Sequence, residues 1–416
     1  MADRTVDHLI VGGGVAGYRC ADTLREAGAD GSIVLVSRDP DPPYDRTLCS
    51  KGYLQGSASR EDALLAGAGW WGEHDVELLT RTSAMSLDPA EREVKLSTKE
   101  TVGYRQLLLA TGANIRRLRL DGSDLEGIHY LRALGNADAI RSDVEDAERV
   151  VLVGGSYIAT EVAASLTTLG KRCTLVMQED VTLERGFGAQ AGRFFQDVLE
   201  RHGVEVRGGD EVERFEGADG RITGVVTKQG ERVAADAVIV GAGVVPDVML
   251  AKRAGLEIGE LGGGRTDAAL RTSAPGVFAA GDSCEYESVV HGGEWLRIEH
   301  WDVAEQHGRT AALAMLGQTE AHDVVPYFFS DLADWASLEY VGPARAWDEE
   351  IVRGSLDDGR FTIFYLDGGR LAATLSVGRG DDLEAARELI AGRGDVGGMR
   401  DALADENSDL GALAGS

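Results

Sequence analysis

Short runs of valine, isoleucine and leucine alternate with alanine-rich stretches of helical character from residue 6 to about residue 245. Two segments, 7–36 and 149–177, repeat the order of an apolar strand, a glycine turn, a helix and a second apolar strand. This order is typical of the βαβ unit of a parallel sheet. The pattern therefore predicts an α/β protein with two Rossmann-like dinucleotide-binding domains.

The remaining segments follow other patterns. Residues 75–110 contain short alternating strands, which favour a β-meander over another crossover unit. From residue 326 onward, strands rich in aromatic residues precede a helix over 382–391 whose first turn is acidic, as the helix dipole favours. These features predict a separate α+β domain over 326–395. The residues that follow are rich in glycine and aspartate and poorly periodic, so we expect a flexible tail over 396–416.

Composition limits the classes of function. Of the 416 residues, 43% are hydrophobic and 27% are charged, as in globular proteins. The chain has no uninterrupted apolar run near ~18 residues, so we expect no membrane span. The net charge of −28 argues against a nucleic-acid partner, because binding to a phosphate backbone needs a basic surface.

The cysteines and the first residues indicate a cytoplasmic protein. Cys20, Cys49, Cys173 and Cys284 form neither a CxxC nor a zinc-like spacing, so we expect no disulfide framework and no metal site. We also expect no signal peptide, since charged residues lead directly into a short apolar run at the start of the chain.

The first glycine turn carries a nucleotide-binding signature. Gly12, Gly14 and Gly17 match G-x-G-x-x-G directly between a strand and a helix. Glycines at this place permit a tight turn and the close approach of a pyrophosphate, whose charge the helix N-terminus stabilises. An ordinary glycine turn is the alternative. Asp39, after the second strand, is the acid available to bind ribose hydroxyls.

The second turn is a variant of this signature, with Ser156 at the second glycine position and Ala159 at the third. Both residues are small enough to allow the close packing of the helix on the strand. Met177 stands where an acid would bind the ribose of NADH, but the nearby Glu179 favours NADH and leaves NADPH open. The turn residues predicted to bind NAD(P)H are Gly154, Gly155, Ser156, Tyr157 and Ile158.

Two further strands end in residues suited to a ligand. One strand ends in Thr111 and Gly112, and the other ends in Gly281 and Asp282. A strand that stops at a carboxylate presents it at the carboxyl edge of an open α/β sheet, where ligands bind. Taken alone, Asp282 is better explained as an ordinary turn aspartate.

The two glycine turns and the two strand ends are four signals along the chain. In this order they resemble those of the flavoprotein reductases that bind two dinucleotides. The resemblance implies FAD in a first domain over 1–115 and 245–325. It implies NAD(P)H in a second domain over 116–244, inserted into the first. Residues 241–247, which include Gly243, resemble the segment by which the chain leaves the NAD domain.

Within that superfamily the chain is most similar to the oxygenase-coupled NAD(P)H:ferredoxin and rubredoxin reductases, with apoptosis-inducing factor and monodehydroascorbate reductase as relatives. The resemblance rests on a PYDRPPLSKxYL-like stretch, a YLR element, an RIE-S/H-W-x-x-A element, a PWFWSD-like segment and an FxxFYLxxGRL-like strand pair. These segments lie, in that order, at residues 43–54, 130–132, 297–304, 326–331 and 361–371.

By position, the resemblance implies catalytic roles for Lys51, Glu161 and Trp301. Lys51 would lie near flavin N5 and pair with Glu161, and a cation there stabilises the anionic reduced flavin. Trp301 would lie against the isoalloxazine, and Asp282 would bind the ribityl chain. A surface lysine in contact with solvent is the alternative for Lys51.

The complete site prediction combines the motifs with the resemblance. The FAD contacts are predicted to be Gly12, Gly14, Ala16, Gly17, Asp39, Arg46, Lys51, Ala84, Thr111, Gly112, Arg132, Gly281, Asp282 and Trp301. Glu161, Glu179 and Gly243 are added to the turn residues predicted to bind NAD(P)H.

Some positions depart from the pattern of these reductases. Arg38 stands where several relatives carry the acid for the FAD ribose, so either Asp39 replaces that acid or Arg38 stacks on the adenine. Thr47, Leu48 and Cys49 replace the usual Pro-Pro-Leu. Cys49 is either a redox cysteine near the flavin or, as we favour, a small packing residue.

The resemblance implies an enzyme that takes hydride from NAD(P)H onto FAD. It would pass single electrons to a small acidic ferredoxin or a rubredoxin, for an oxygenase or a cytochrome P-450. Arg116, Arg117 and Arg119 form a candidate docking patch, with a solvated loop as the alternative. The acidity of the chain is also consistent with adaptation to high salt.

Three other functions stay open. One is an NADH oxidase or diaphorase like apoptosis-inducing factor, which His300 beside Trp301 suggests. The second is a monodehydroascorbate-type reductase. The third is a flavin-bound redox sensor that forms a charge-transfer complex with NADH and dimerises, so a homodimer is also allowed.

Overall fold

The computed structural model describes residues 2–319 and 321–414. In chain order the strands are β1 Arg4–Val11, β2 Ile33–Val36, β3 Val76–Leu79, β4 Ala84–Asp88, β5 Glu93–Leu96, β6 Thr101–Leu109, β7 Ala113–Ile115, β8 Ile128–His129, β9 Arg149–Val153, β10 Arg172–Val176, β11 Glu205–Arg207, β12 Val212–Ala218, β13 Arg221–Thr227, β14 Arg232–Ala234, β15 Ala237–Val240, β16 Val244–Pro246, β17 Gly264–Thr266, β18 Val277–Ala279, β19 Cys284–Ser288, β20 Glu294–Leu296, β21 Tyr327–Leu332, β22 Ala336–Val341, β23 Glu349–Ser355, β24 Arg360–Asp367 and β25 Arg370–Val377.

The helices are mostly short. The α-helices are α1 Val15–Glu26, α2 Gly52–Gln55, α3 Arg60–Ala63, α4 Trp70–Glu73, α5 Leu134–Val144, α6 Tyr157–Thr168, α7 Glu184–Arg201, α8 Met249–Arg253, α9 Trp301–Met315, α10 Asp381–Gly392, α11 Arg400–Ala404 and α12 Leu410–Ala414. Single turns of 3₁₀-helix lie at Arg46–Ser50, Gly281–Ser283 and Gly397–Met399. None of the helices in the described ranges combines the length and the apolar character needed to cross a lipid bilayer.

The chain divides into two compact units. The first comprises the described residues of 1–45, 63–114 and 245–328, and the second those of 46–62, 115–244 and 329–416. Residues 46–62 therefore belong to the second unit, although the resemblance predicts them in the FAD-binding domain. Compactness is a different property from nucleotide binding, so the predicted domain bounds remain a prediction.

The first unit is built on a parallel sheet with the strand order β3-β2-β1-β6. On its other edge, β6 pairs in parallel with β18 and antiparallel with β5, which in turn pairs with β4. The predicted β-meander is confirmed only for β4, β5 and the first half of β6, because β3 extends the parallel sheet beside β2. Helix α1 lies so close to α9 that a Cβ atom at Gly308 would lie 2.3 Å from the carbonyl oxygen of Ala16.

The second unit contains a second parallel sheet, with the strand order β11-β10-β9-β15-β8. Helix α6 connects β9 to β10, as predicted, and begins one residue earlier than expected. The antiparallel strands β12, β13 and β14 come before β15. Both predicted βαβ repeats are therefore confirmed. Their strands are buried almost throughout, as strands covered by helices on both faces are.

The last part of the second unit is an antiparallel sheet with the order β21-β22-β25-β24-β23, against which α10 packs. Helix α10 extends the predicted helix by one residue at each end and has three acidic residues in its first turn. The apolar side chains of β24 are buried from Phe361 to Leu366. The predicted fold class, with an α+β part after the two Rossmann-like folds, is confirmed, whereas the bounds 326–395 of that domain remain a prediction.

The segment after residue 395 differs from the flexible tail expected from its composition. It contains α11 and α12, and the side chains of Leu403 and Leu410 are buried. The buried Arg353 on β23 donates hydrogen bonds to the carbonyl oxygens of Asp405 and Ser408, the latter at 2.9 Å. Composition does not reveal this contact, because the arginine that holds the segment lies elsewhere in the chain. The last two residues of the predicted tail lie outside the described residues.

Candidate functional site

The first glycine turn, between β1 and α1, has glycine for two separate reasons. Gly12 has a φ of +130°, and a Cβ atom there would lie 2.0 Å from the carbonyl oxygen of Ala110. A Cβ atom at Gly17 would lie 2.0 Å from the carbonyl oxygen of Gly12. A Cβ atom at Gly14 would meet no protein atom within 4 Å. Packing therefore requires glycine at 12 and 17, whereas the space at Gly14 fits the approach of a ligand such as a pyrophosphate.

Two other predicted segments lie at the same edge of this sheet. Residue 109 at the end of β6 pairs with the ends of both β1 and β18, and all three strands are parallel. Thr111 and Gly112 after β6, and Gly281 and Asp282 after β18, therefore follow the carboxyl ends of neighbouring strands. A Cβ atom on Gly281, whose φ is +70°, would lie 3.5 Å from the Cβ of Ala16. The structure thus brings four predicted FAD residues, Thr111, Gly112, Gly281 and Asp282, to the sheet edge at which the glycine turn lies.

Trp301 and Ala84 also belong to the first unit. Trp301 is the first residue of α9, and its buried indole N–H has no hydrogen-bond partner within the described part of the chain. Such a buried donor is suited to a ligand acceptor. Ala84 begins β4 at the edge of the sheet, with β5 between that strand and β6.

Asp39 and Arg38 both take part in contacts within the first unit. The carboxylate of Asp39 accepts a hydrogen bond from the hydroxyl of Tyr44 at 2.9 Å. The guanidinium of Arg38 donates to Asn114 at 2.8 Å and forms an ion pair with Asp247 at 3.1 Å. Asp39 therefore organises its own loop, and the choice between Asp39 and Arg38 as the residue at the FAD adenosine remains a prediction.

The second unit contains the predicted ion pair. The Nζ atom of Lys51 lies 2.8 Å from a carboxylate oxygen of Glu161. The hydroxyls of Ser50 and Ser330 donate to the same carboxylate, at 2.5 and 2.6 Å. The side chain of Glu161 is 6% exposed, so these donors replace the water that the carboxylate loses on burial.

Helix α6 explains where this pair lies. Glu161 follows Tyr157, the first residue of α6, by four positions and therefore lies on the same face of the helix, one turn from the second glycine turn. One turn further, the hydroxyl of Ser165 donates to the carbonyl oxygen of Ser50 at 2.7 Å. A single helix thus begins at the predicted NAD(P)H turn and holds the segment that carries Lys51.

Ser50 and Ser330 are missing from the site residues predicted from the sequence. Ser50 precedes Lys51 within the 43–54 motif, and Ser330 lies within the 326–331 motif, so both motifs contain the signal. Their contact with Glu161 could not be inferred, because Ser330 lies 169 positions from Glu161 in the chain.

The second glycine turn packs against the end of β10. A Cβ atom at Gly154, whose φ is +118°, would lie 2.5 Å from the carbonyl oxygen of Gly241. A Cβ atom at Gly155 would lie 2.5 Å from the Sδ of Met177 and 3.4 Å from a carboxylate oxygen of Glu179. Glu179 is therefore beside the turn, as an acid for the ribose should be. Its carboxylate also forms an ion pair with Arg185 at 2.5 Å, which the sequence did not indicate.

The other predicted NAD(P)H residues lie around this turn. Ser156 is exposed, and Ile158 is one of the few exposed large apolar side chains among the described residues. The ring of Tyr157 packs edge-on against Phe187, and burial raises the pKa of its hydroxyl. The carbonyl oxygen of Gly243 accepts a hydrogen bond from the main chain of Arg116 at 3.0 Å.

Two predicted FAD residues of the second unit contact each other. The guanidinium of Arg46 donates to the carbonyl oxygen of Arg132 at 2.7 Å. Arg46, Lys51 and Arg132 thus lie in the second unit, whereas the other predicted FAD residues lie in the first. The roles of these residues in FAD binding remain predictions.

All four cysteines are buried. Burial raises the pKa of the Cys173 thiol to about 11 and that of Cys284 to about 12, and it raises the pKa of Cys20 as well. A thiol with a raised pKa is a poor nucleophile near neutral pH. For Cys49, which is 2% exposed, burial favours the packing role over the redox role.

Comparison with known proteins agrees with this architecture. Residues 6–308 match the model of the pyridine nucleotide-disulphide oxidoreductase family, and residues 327–414 match the model of the reductase C-terminal domain. The ferredoxin reductase subunit of 5,5'-dehydrodivanillate O-demethylase from a Sphingobium species is 36% identical over 405 residues, which are 97% of each chain.

Solved structures show the same similarity. The ferredoxin reductase of the CYP199A2 system from Rhodopseudomonas palustris is 30% identical, with a TM-score of 0.93 over 99% of this chain and 100% of that chain. Putidaredoxin reductase in its covalent complex with putidaredoxin is 31% identical, with a TM-score of 0.93 over the whole of both chains. The chain therefore belongs to the pyridine nucleotide-disulphide oxidoreductase family, in the branch that contains the ferredoxin reductases.

Proposed function

We propose that this protein is a FAD-dependent NADH:ferredoxin reductase. It takes hydride from NADH onto FAD and delivers single electrons to a small acidic ferredoxin or a rubredoxin that serves an oxygenase or a cytochrome P-450. The observation that carries the proposal is the pairing of Lys51 with the buried carboxylate of Glu161, with 2.8 Å between Nζ and the carboxylate, one helical turn from a glycine-rich turn. The names of the relatives support the choice of acceptor.

The residues of the first unit fit FAD. The open space at Gly14, the Gly281–Asp282 turn at the same sheet edge and the buried indole donor of Trp301 are features that a dinucleotide with a polar ring system would use. When bound, the flavin supplies the acceptor for hydride and the means to release electrons singly. Asp282 would orient the ribityl chain, and Trp301 would shield the ring edge from water.

Lys51 would provide fixed positive charge beside the reacting nitrogen of the flavin. A positive charge that is already in place stabilises developing negative charge without reorganising solvent. Glu161 keeps the ammonium group in one position, and the hydroxyls of Ser50 and Ser330 keep Glu161 in one position. No protein nucleophile or general base is needed for hydride transfer between two cofactors.

Glu179 supports NADH as the preferred donor. Its carboxylate lies beside Gly155, where the adenosine ribose would lie, and could accept hydrogen bonds from both ribose hydroxyls. The same negative charge would repel the 2′-phosphate of NADPH. Arg185, which pairs with Glu179, would hold the carboxylate against the turn.

The test begins with the purified protein and added FAD. We expect a yellow protein whose flavin is bleached by NADH under anaerobic conditions, faster than by an equal concentration of NADPH. The reduced enzyme should then reduce an acidic [2Fe–2S] ferredoxin, followed by its absorbance, faster than it reacts with oxygen. A protein that binds no FAD would refute the proposal, and reoxidation faster by oxygen than by any ferredoxin or rubredoxin would favour an oxidase.

A further inference from the structure

A pair of buried histidines lies behind the Gly281–Asp282 turn in the first unit. His307 is on α9 and has no exposed surface, and His322 lies in the segment after α9 and is 2% exposed. Their rings meet edge to face at 4.7 Å between centroids, and His307 packs in the same way on Tyr286 at 4.5 Å. Neither histidine belongs to the motifs of the sequence analysis.

Within the described residues the ring of His307 makes one hydrogen bond, through Nδ1, and its buried Nε2 atom has no partner. Its Nδ1 atom accepts a hydrogen bond from the main-chain N–H of Gly281 at 3.2 Å. An accepting Nδ1 requires the ring proton to be on Nε2, so the ring must be neutral. Burial, and then the neighbouring His322, hold the pKa of His307 well below its ordinary value.

The turn that receives this contact has little freedom of its own. Gly281 adopts a φ of +70°, and a Cβ atom there would lie 3.3 Å from the Cβ of Ala304 and 3.5 Å from that of Ala16. Its N–H is buried, and a buried N–H without an acceptor is unfavourable. The imidazole of His307 therefore stabilises this conformation of the turn, in which Asp282 follows β18 at the carboxyl edge of the sheet.

We propose that His307 is a positioning residue for FAD: its Nδ1 atom holds the Gly281–Asp282 turn in the conformation that presents Asp282 to the ribityl chain. The proposal rests on the proposed function, because it assumes that this edge binds FAD. His322 supports the ring from the side, and its own Nδ1 lies 2.9 Å from the hydroxyl of Thr310.

The test compares His307→Leu with His307→Gln. Leucine cannot accept the Gly281 hydrogen bond, so we expect FAD to bind about 10-fold more weakly, with a shifted flavin absorption spectrum. The amide oxygen of glutamine can accept that bond, so His307→Gln should restore the affinity to within about 3-fold of the wild type. His8→Leu, which replaces another buried histidine of the first unit, is the control and should leave FAD affinity unchanged.

A measurement on the wild type keeps the test independent of how the variants fold. The ¹⁵N chemical shifts of histidine-labelled holoenzyme should identify His307 as the neutral tautomer with its proton on Nε2. A proton on Nδ1 would overturn the proposal, as would a folded His307→Leu protein with wild-type FAD affinity. In both cases the wild type would still bind FAD, whereas a wild type that fails to bind FAD would refute the proposed function itself.

Discussion

At the scale of single residues, the candidate chemistry depends on how Glu161 is held. A buried carboxylate is stable only when charged or polar donors replace its hydration. Glu161 has such donors in Lys51, Ser50 and Ser330. The ammonium group of Lys51 is therefore fixed by a partner that is itself fixed, which is what electrostatic stabilisation without solvent reorganisation requires.

Replacing Glu161 should slow the reduction of the flavin. Glu161→Gln keeps the size of the side chain but removes the charge that holds Lys51, so we expect NADH to reduce the flavin at least about 10-fold more slowly. Anaerobic stopped-flow absorbance measures this rate. Glu148→Gln, which removes a carboxylate from an exposed ion pair with Arg172, is the matched control and should have the wild-type rate. Equal rates for Glu161→Gln and the control would contradict the role of the pair.

Removing the hydroxyl of Ser330 should reduce stability. Ser330→Ala deletes one donor to a buried carboxylate, and we expect the free energy of unfolding to fall by about 2 kcal/mol. Ser337→Ala deletes a donor to the exposed carboxylate of Asp331 and should lower it by less than about 0.5 kcal/mol. Urea unfolding followed by tryptophan fluorescence distinguishes the two. If both variants lose the same stability, burial does not strengthen the Ser330 contact.

At the scale of elements, helix α9 packs against α1 and carries one of two buried histidines. It contacts α1 at Gly308, holds the Gly281 turn through His307 and lies beside the buried His322. Burial lowers the pKa of His322 to about 4 from an ordinary value of 6.5. Below pH 6.5 the unfolded chain therefore protonates residue 322, whereas the folded chain keeps this histidine neutral until about pH 4.

This difference predicts that stability falls with acidification. Between pH 7 and pH 5 the unfolded chain protonates residue 322 whereas the folded chain does not, so His322 should lower the free energy of unfolding by about 2 kcal/mol over that interval. His322→Gln removes this titration, so its free energy of unfolding should fall by that much less than the wild type over the same interval. Urea unfolding of both proteins at pH 7, 6 and 5 measures the difference. The two proteins have the same carboxylates, so the contribution of these groups to the pH dependence cancels in the comparison. Parallel curves would contradict the lowered pKa.

The local stability of the C-terminal helices α11 and α12 should depend on Arg353. Its guanidinium is buried and donates to main-chain carbonyl oxygens just before α12, so Arg353→Met leaves those acceptors without their charged donor. We expect amide hydrogens in α11 and α12 to exchange at least about 10-fold faster, as measured by mass spectrometry. Arg172→Met, at an exposed ion pair, should leave that exchange unchanged. Wild-type exchange in both variants would show that packing alone holds the segment.

At the scale of the whole molecule, the net charge of −28 opposes an acidic partner at long range. Screening limits that repulsion to about 8 Å at physiological salt, so local charge decides docking at contact. Arg116, Arg117 and Arg119 are exposed, and the guanidinium of Arg117 lies 5.0 Å from the centre of the Tyr130 ring. No ion pair engages these three arginines within the described residues.

The position of an arginine on the surface should therefore affect the KM for ferredoxin more than the net charge of the chain does. If these arginines dock the acceptor, Arg119→Glu should raise the KM for an acidic ferredoxin about 10-fold and leave NADH-driven ferricyanide reduction unchanged. Arg193→Glu, at an exposed position of α7, changes the net charge equally and should raise that KM by less than about 2-fold. Steady-state kinetics at physiological salt separate the variants, and equal effects would favour the solvated-loop interpretation.

Most of the fold could be predicted because its signals are local. The apolar runs of β1 and β9 and the glycines between strand and helix depend on neighbours within a few residues. The prediction was wrong for β3, because a short alternating sequence fits a strand of a β-meander and a strand of a parallel sheet equally well. Only the strand pairing in the structure, in which β3 lies parallel to β2, distinguishes the two. Helices α11 and α12 were missed because Arg353, which binds the segment between them, lies on β23.

By itself the sequence determined the two βαβ folds and the position of their glycine turns, since periodicity and motif spacing carry that information, and the resemblance to the reductases implied the pairing of Lys51 with Glu161. Only the tertiary structure decided that Ser50 and Ser330 share one carboxylate, that Glu179 has Arg185 as a partner and that His307 holds Gly281. The physical reason is that a buried polar contact depends on directions and distances between elements that are remote in the chain.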